Sequence, residues 1–493
     1  MSSLAQLLLA LGASVSGSDR YYDQGMDLSV LKKLRGLGVA LFPQDGSAVK
    51  DGLDAVVVST AIEEDNPDLA AARIKKIRTL HRAELLALLA KSKKIIAITG
   101  TAGKTTVTGM AGFCLEQAGW DPMVVNGGAV LNWLDEKHPG NFRFGKSNVW
   151  VLELDESDRS LLRFFPDWAV VTNISQDHFE LAEIKSLFAK FAKQVKRGIV
   201  GCDTWKAGDS TELMDSPVDK ISVGPPLVGA PSLSFPDQTA SGNPPSLREL
   251  WRTGQRPYVE EKSCRITESG ILFQYRGRNF RLPLLGKHNI ENALHCVMLC
   301  ERLGLELGVV AGALEKFQGI ERRLQVAGTR KDVTVIDDYA HNPAKIAAAL
   351  AAIRPFAKRV FALWRPHGYG PLKLMYRDLL DTFAGCLRPE DMLVVMPVYF
   401  AGGTADKQIT ARMFADELRE RRVPVKYAAN YGEASAIILK SVNPGDVVLT
   451  MGARDPDLPV FARSLVLNLD HFLANRPAGA GGIPKKDQPA DHA

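Results

Sequence analysis

The chain has 493 residues, 46% of them hydrophobic and 24% charged, with a formal net charge of +5. At about 150 residues per domain this is room for three domains, and so small a net charge over such a length excludes a dominant nucleic-acid footprint. The six cysteines include no C-x-x-C pair, which indicates neither a zinc site nor a disulfide framework and fits a reduced, cytoplasmic setting; no apolar run reaches the about 18 residues of a membrane span.

The start, MSSLAQLLLALGASVSGSD, lacks the basic flank of a signal peptide and reads as an amphipathic helix followed by a strand. Over residues 1–90, helical segments alternate with short strands at 39–42 and 55–59, which argues for a parallel α/β unit. Lys91-Ser92-Lys93-Lys94 is a polar hinge before a buried-type strand at 95–98. The block 91–325 has further strands near 122–125, 148–153 and 168–172. Its Pro-, Gly- and Ser-rich stretch 224–258 reads as an exposed insertion or long loop. A β-rich stretch at 263–284 and a helix from about 290 follow. The block 326–474 alternates again: strand 333–337, helix 343–353, strand 359–363, helix 373–384, strand 391–395, helix 410–421, strand 446–450. That is a second doubly wound sheet. Residues 475–493 are a disordered tail by composition. The expected fold class is therefore α/β in three domains, at 1–90, 91–325 and 326–474.

Three strand ends carry chemistry. The strand at 95–98 runs into Gly100-Thr101-Ala102-Gly103-Lys104-Thr105-Thr106 and then into a helix. That is a short phosphate-binding loop. Backbone N–H groups can cradle phosphates there, Lys104 can reach the outer ones, and the Thr105 hydroxyl can serve Mg2+. The alternative is a glycine-rich turn with a solvated lysine. A second strand, VWVLELDESD at 149–158, ends in Glu153, Asp155, Glu156 and Asp158. Carboxylates at the C-terminal end of a central strand stand where ligands bind in open α/β sheets, and hard oxygens suit Mg2+; read alone, the segment could be a solvated acidic turn. The third, VVTNISQDHFE at 170–180, ends in Asn173 and then Asp177-His178. His178 follows a strand end of the same sheet, which favours function over a structural histidine.

Together, G-T-x-G-K-T-T, E-x-D-E-S-D and T-N-x-x-x-D-H resemble the Mur ligases, the ATP-dependent amino-acid ligases of peptidoglycan synthesis. S-G-S-D at 16–19, V-V-V-S-T-A-I-x-x-D-N-P at 56–67, R-A-E at 82–84 and V-N-G-G at 125–128 are similar to the branch that adds L-alanine to UDP-N-acetylmuramate. G-K-H-N-I-E-N-A at 286–293, F-Q-G-I-E-R-R-L at 317–324 and D-D-Y-A-H-N-P at 337–343 extend the match over about residues 1–470. The resemblance implies a Rossmann-like uridine-nucleotide domain, a central P-loop ATPase-like domain and a Rossmann-like C-terminal domain. It implies ATP and Mg2+ as cofactors, with UDP-N-acetylmuramate and L-alanine as substrates and no nucleic-acid or membrane partner. Lys104 would hold the β/γ-phosphates, Thr105 and Glu153 one Mg2+, and His178 a second. Asn292 would meet the adenine, and Arg323, Asp338 and His341 the rest of the nucleotide. Ser18, Asp19, Ser59, Asn126 and His367 would contact substrate. Each later motif also has a plain structural reading: Asn289 and Asn292 as caps of the following helix, Asn342-Pro343 as N-cap and first residue of a helix, and Arg322-Arg323 as a solvated pair.

The chain departs from the family in three places. Ala102 stands where a His is common. After Pro366-His367 the family's branch has Arg-Tyr-Thr-Arg, expected to help hold the amino acid's carboxylate; here the run is Gly368-Tyr369-Gly370-Pro371-Leu372-Lys373, leaving Arg365, Lys373 or Arg377 as substitutes. Arg454 replaces a small residue. A recycling ligase that adds a whole peptide, or a non-enzymatic nucleotide-binding regulator, are the rival readings. Finally, the first helix follows Met1 directly, without the strand and glycine turn that open a nucleotide-binding βαβ unit. The expectation is an upstream start codon and about a dozen further residues, with loosened uridine-nucleotide binding in the chain as written.

Overall fold

The computed structural model describes residues 1–26, 28–174, 181–201, 264–267, 270–400 and 407–474. The chain forms two compact units, the first from Met1 to Glu321 and the second from Arg322 onward.

In the first unit, helix Ser2–Ala10 precedes two separate parallel pairs of short strands. Ser16–Ser18 pairs with Ala40–Phe42, and Val56–Val58 with Thr79–His81. The helices between them start where local chemistry dictates. Asn66 caps Pro67–Ile74 by accepting from the Asp68 N–H, with Pro at the first position, where its missing N–H costs nothing. His81 and Glu84 form a reciprocal capping box on Arg82–Ala90.

The rest of this unit is built on a six-stranded sheet. Its order is Gly198–Gly201, Trp168–Val171, Lys94–Thr99, Val149–Glu153, Met123–Val125 and Phe142–Arg143, parallel except for the last strand. Lys94–Thr99 lies in the middle and is buried on both faces. Ile96 and Ile98 join one core, with Val107, Met110, Val297 and Phe317. Ile95 and Ala97 join the other, with Leu7, Trp150 and Phe188. That alternation is why the strand reads as one continuous apolar run. A three-stranded antiparallel sheet, Arg265–Thr267, Gly270–Tyr275 and Arg278–Leu282, follows, and then the helices His288–Arg302 and Leu307–Lys316. The stretch 224–258 and the tail 475–493 lie outside the described residues.

The second unit is a six-stranded sheet ordered Gln325–Arg330, Val333–Asp338, Val447–Met451, Val360–Trp364, Met392–Val395 and Val425–Tyr427; only the first strand is antiparallel. The expected run of elements is present, with helix Pro343–Ile353 started by the Asn342 side chain, which accepts from the Lys345 N–H. Beyond that expectation are the strands Gln325–Arg330 and Val425–Tyr427, the helix Tyr431–Ser441 and the closing helix Leu458–Ala474.

Candidate active site

The phosphate loop leaves the central strand at Gly100 and enters helix Lys104–Gln117 at Gly103. Both glycines are required by backbone and by neighbours. Gly100 has φ +124° and Gly103 has φ +86°, regions that L side chains avoid. A Cβ at 100 would stand 2.3 Å from the Thr172 hydroxyl, and one at 103 would stand 2.4 Å from Asn292 Oδ1. The neighbouring strand end holds the loop's shape. Ala102 N–H donates to Asn173 Oδ1 (2.9 Å), and Asn173 Nδ2 and the Thr172 hydroxyl donate to the Ala102 carbonyl (3.0 and 2.5 Å). Thr101 and Thr106 are buried beside it.

Lys104 folds back over the loop. Its Nζ donates to the Gly100 carbonyl (2.8 Å) and to Glu156 Oε2 (2.7 Å), with Asp155 Oδ1 at 3.9 Å. One residue on, the Thr105 hydroxyl donates to Glu153 Oε1 (3.0 Å), and Glu153 Oε2 accepts from the Gly127 N–H (2.6 Å). The acidic strand end therefore does two things: Glu153 faces the threonine, and Glu156 faces the lysine. Burial pushes the Glu156 carboxyl above its ordinary value, more than the Lys104 charge pulls it down. For Asp155 burial is also the largest influence, but Lys104, Ser157 and Arg82 together outweigh it and lower its pKa. Arg82 ties this acidic turn to the first ninety residues, meeting Asp158 Oδ2 at 3.2 Å and Asp155 Oδ2 at 3.6 Å.

The other residues expected from sequence are placed as follows. Asn126 is buried; its Nδ2 donates to the Thr105 carbonyl (3.2 Å) and its Oδ1 accepts from the Gly127 N–H (3.1 Å), so it braces the loop helix. Asn292 is buried beside Gly103, and its Nδ2 donates to Asn289 Oδ1 (2.9 Å). Neither asparagine caps the helix from outside, since both lie within His288–Arg302. Ser18 donates to Asp68, Asp19 caps Arg20–Asp23 through the Tyr21 N–H (2.9 Å), and Ser59 follows the strand Val56–Val58. His178 lies outside the described residues.

In the second unit, Asp338 is buried and accepts from the N–H groups of Leu324 (2.7 Å) and Ala340 (2.7 Å). Its pKa is pushed up to about 6, chiefly by burial. Arg323 is exposed and lies over the Tyr339 ring at 5.3 Å. Arg322 is consumed by the fold, binding Asp337 Oδ2 (3.0 Å) and the Gly452 carbonyl, so the two arginines are not an equivalent solvated pair. His341 and His367 meet edge to face at 4.7 Å. Burial, then the charges of His341, Arg454 and Lys345, lowers the His367 pKa to about 4. Arg365, one of the substitutes for the absent arginines, binds the fully buried Asp455 (2.5 Å) and Tyr431 (3.1 Å). Both bonds are made by its Nη1.

Sequence reasoning named Arg82 and Asn173 within motifs without a task, and read Glu156 only as one of the strand-end oxygens suited to Mg2+. The signal lay in the types: three further carboxylates, Asp155, Glu156 and Asp158, follow Glu153, and they need cations if the strand end is buried.

Known proteins resemble the chain over nearly its whole length. The model described as Mur ligase family, catalytic domain, matches residues 1–94; Mur ligase middle domain matches 98–197; and Mur ligase, glutamate ligase domain, matches 322–454. UDP-N-acetylmuramate–L-alanine ligase from Synechococcus sp. (strain JA-2-3B'a(2-13)) is 34% identical over 470 residues, which are 94% of this chain and 89% of the relative. The enzyme of that name from Carboxydothermus hydrogenoformans is 32% identical, over 92% of this chain and 91% of its own. Among solved structures, UDP-N-acetylmuramate-alanine ligase from Thermotoga maritima aligns with TM-score 0.70 at 23% identity, covering 97% of each chain. A murein peptide ligase from Psychrobacter arcticus aligns with TM-score 0.58 at 18% identity, again over 97% of each.

Proposed function

The chain belongs to the Mur ligase family, and from that premise we propose that it joins L-alanine to the carboxylate of UDP-N-acetylmuramate, with ATP cleaved to ADP and phosphate, in peptidoglycan precursor synthesis. The observation that carries the reaction type is the phosphate loop with Lys104 on one side and the Thr105–Glu153 pair on the other. The identity to enzymes of that name over 94% of the chain supports the substrates. The cysteine usage supports a cytoplasmic location.

The residues present fit Mg2+. The Thr105 hydroxyl oxygen and Glu153 Oε1 are 3.0 Å apart, and neighbouring ligands of an octahedral ion with bonds of about 2.1 Å are about 3.0 Å apart. Thr105 and Glu153 would hold the ion, and by resemblance His178 would serve a second. Bound there, the metal screens the negative charge that the γ-phosphate and the acceptor carboxylate bring together.

The chain's own groups do the rest. The N–H groups at 103–106, at the start of the helix, cradle the phosphates, and the loop before them is held in shape by Thr172 and Asn173. Lys104 exchanges Glu156 for the β/γ-phosphates. Glu156, buried and with a raised pKa, can take a proton once its cation is gone, which limits its repulsion of the incoming phosphates. The muramate carboxylate attacks the γ-phosphorus to give an acyl phosphate and ADP. The amine then attacks the acyl carbon, and phosphate leaves from the tetrahedral intermediate. Positioning and charge neutralisation dominate such transfers.

The test is ADP release with UDP-N-acetylmuramate and either free L-alanine or a tripeptide. Turnover that requires both UDP-N-acetylmuramate and L-alanine is expected. Turnover with the tripeptide alone would move the chain to the recycling reaction, and none with either amine would remove the ligase reading.

A further inference from the structure

Ten residues beyond Lys104, on the same helix, Cys114 packs against Cys296 and Cys300 of helix His288–Arg302. All three are fully buried. Their sulfurs lie within 4.8 Å of one another, and the Sγ atoms of Cys114 and Cys296 are 3.8 Å apart. Cys296 and Cys300 are one turn apart, so one helix face presents both to the third. The primary structure hides the set, since Cys114 and Cys296 are 182 positions apart.

The geometry points to a binding site for one soft, thiophilic cation of the Cu(I) class, held by Cys114, Cys296 and Cys300. Two sulfurs on one ion with bonds of about 2.3 Å stand about 3.8–4.0 Å apart at tetrahedral to trigonal angles; Cys114 and Cys296 have that spacing, and Cys300 lies within 4.8 Å of both. A disulfide instead needs its sulfurs at about 2.0 Å, and it leaves the third one without a task. The number of ligands selects the ion. Zinc in a protein-only site takes four, whereas three sulfurs suffice for a soft monovalent cation. The core around them, with Met110, Phe113 and Val297, offers hydrocarbon and a thioether, which suits soft ions and excludes oxygen-seeking ones. Met110 lies one turn before Cys114 on the same side of its helix. Each thiol that ligates gives its proton to solvent, so affinity rises as pH rises. Full burial means that the ion enters only when the helices part, so exchange is slow. Once bound, the ion joins the helix that follows the phosphate loop to the helix whose Asn292 abuts Gly103.

The experiment loads the reduced, full-length chain with Cu(I) alone, under anaerobic conditions and against a competing chelator. It reads copper per chain after desalting, the near-ultraviolet charge-transfer band and the thermal midpoint. One copper per chain and a midpoint raised by several degrees are expected. A variant with Cys202→Ala, Cys264→Ala and Cys386→Ala should behave the same. Adding Cys300→Ala to it should remove the band and the shift, with circular dichroism confirming the fold; Cys114→Ala serves in its place if that variant does not fold. Copper retained without Cys300 or Cys114, no copper retained by the parent chain, or a Cys114–Cys296 disulfide forming in place of binding would each overturn the site.

Discussion

Each of the two large sheets of this chain has an interior strand that ends in acidic residues, and the two sheets put them to opposite use. In the first unit Glu153 and Glu156 meet a threonine hydroxyl and a lysine amine, groups that can let go. In the second, Asp337 and Asp338 meet an arginine already bound to a backbone carbonyl and two backbone N–H groups, which cannot. A carboxylate whose partner is a flexible side chain beside a glycine loop is available for chemistry. One whose partners are backbone groups is part of the architecture. Asp455, fully buried and held by the side chains of Arg365 and Tyr431, is a third case, built into the fold through side chains.

Four predictions sharpen or break that contrast. Lys104→Ala should lower turnover by a factor of about 1000 or more, while the chain stays folded because Glu156 can protonate in place of its lost cation. Near-normal ADP release by this variant would remove the loop from the mechanism. Arg365→Ala should do the reverse. It leaves the fully buried Asp455 without its cation, so stability should fall by about 3–5 kcal/mol, read as a lower denaturation midpoint. Arg323→Ala, at an exposed position, should leave that midpoint nearly unchanged. If Arg365→Ala instead only raised the KM for the amino acid, Arg365 would be a substrate ligand after all.

The third concerns pH. The Asp338 carboxyl, ordinarily near 3.8, is raised to about 6 by burial, against the pull of the Leu324 N–H, Arg323 and the Ala340 N–H. Between those values the folded chain keeps a proton that the unfolded chain has lost. Stability from this group is therefore greatest at low pH and falls as pH rises from about 4 to about 6, by about 3 kcal/mol in all. Asp338→Asn cannot titrate. It should carry a constant cost of about 1–3 kcal/mol for an ill-matched N–H. The difference between the two proteins, measured by denaturant unfolding at several pH values, should slope through that window; a flat difference would refute the burial account.

The smallest effect is expected at the metal pair. Glu153→Ala should lower kcat by about tenfold to a hundredfold, partly restored by raised Mg2+. A wild-type rate at low Mg2+ would dissociate Glu153 from the metal.

The phosphate loop was legible because everything that makes it is local: a buried strand, two glycines at positive φ, a lysine and a threonine within seven residues. The cap at Asn342 was legible for the same reason. Asn126 and Asn292 were read from their motifs as ligand contacts; that their amides also brace the loop helix and abut Gly103 was not legible, because a motif gives a residue's type but not its partners within the fold. Arg365 could equally have been substrate-binding until Asp455, 90 positions later, was found against it.

By itself, then, the sequence determined the order of strands and helices, the loop, the acidic strand ends and the family. Those depend on periodicity, backbone permissiveness and residue chemistry over short spans. Only the tertiary structure decided that Glu156 holds Lys104, that Arg322 and Arg365 are bound into the second sheet while Arg323 is exposed, and that three distant cysteines share one point in the core. Each of those depends on which charges and sulfurs folding brings within about 4 Å of one another, the range over which ion pairs and metal bonds operate.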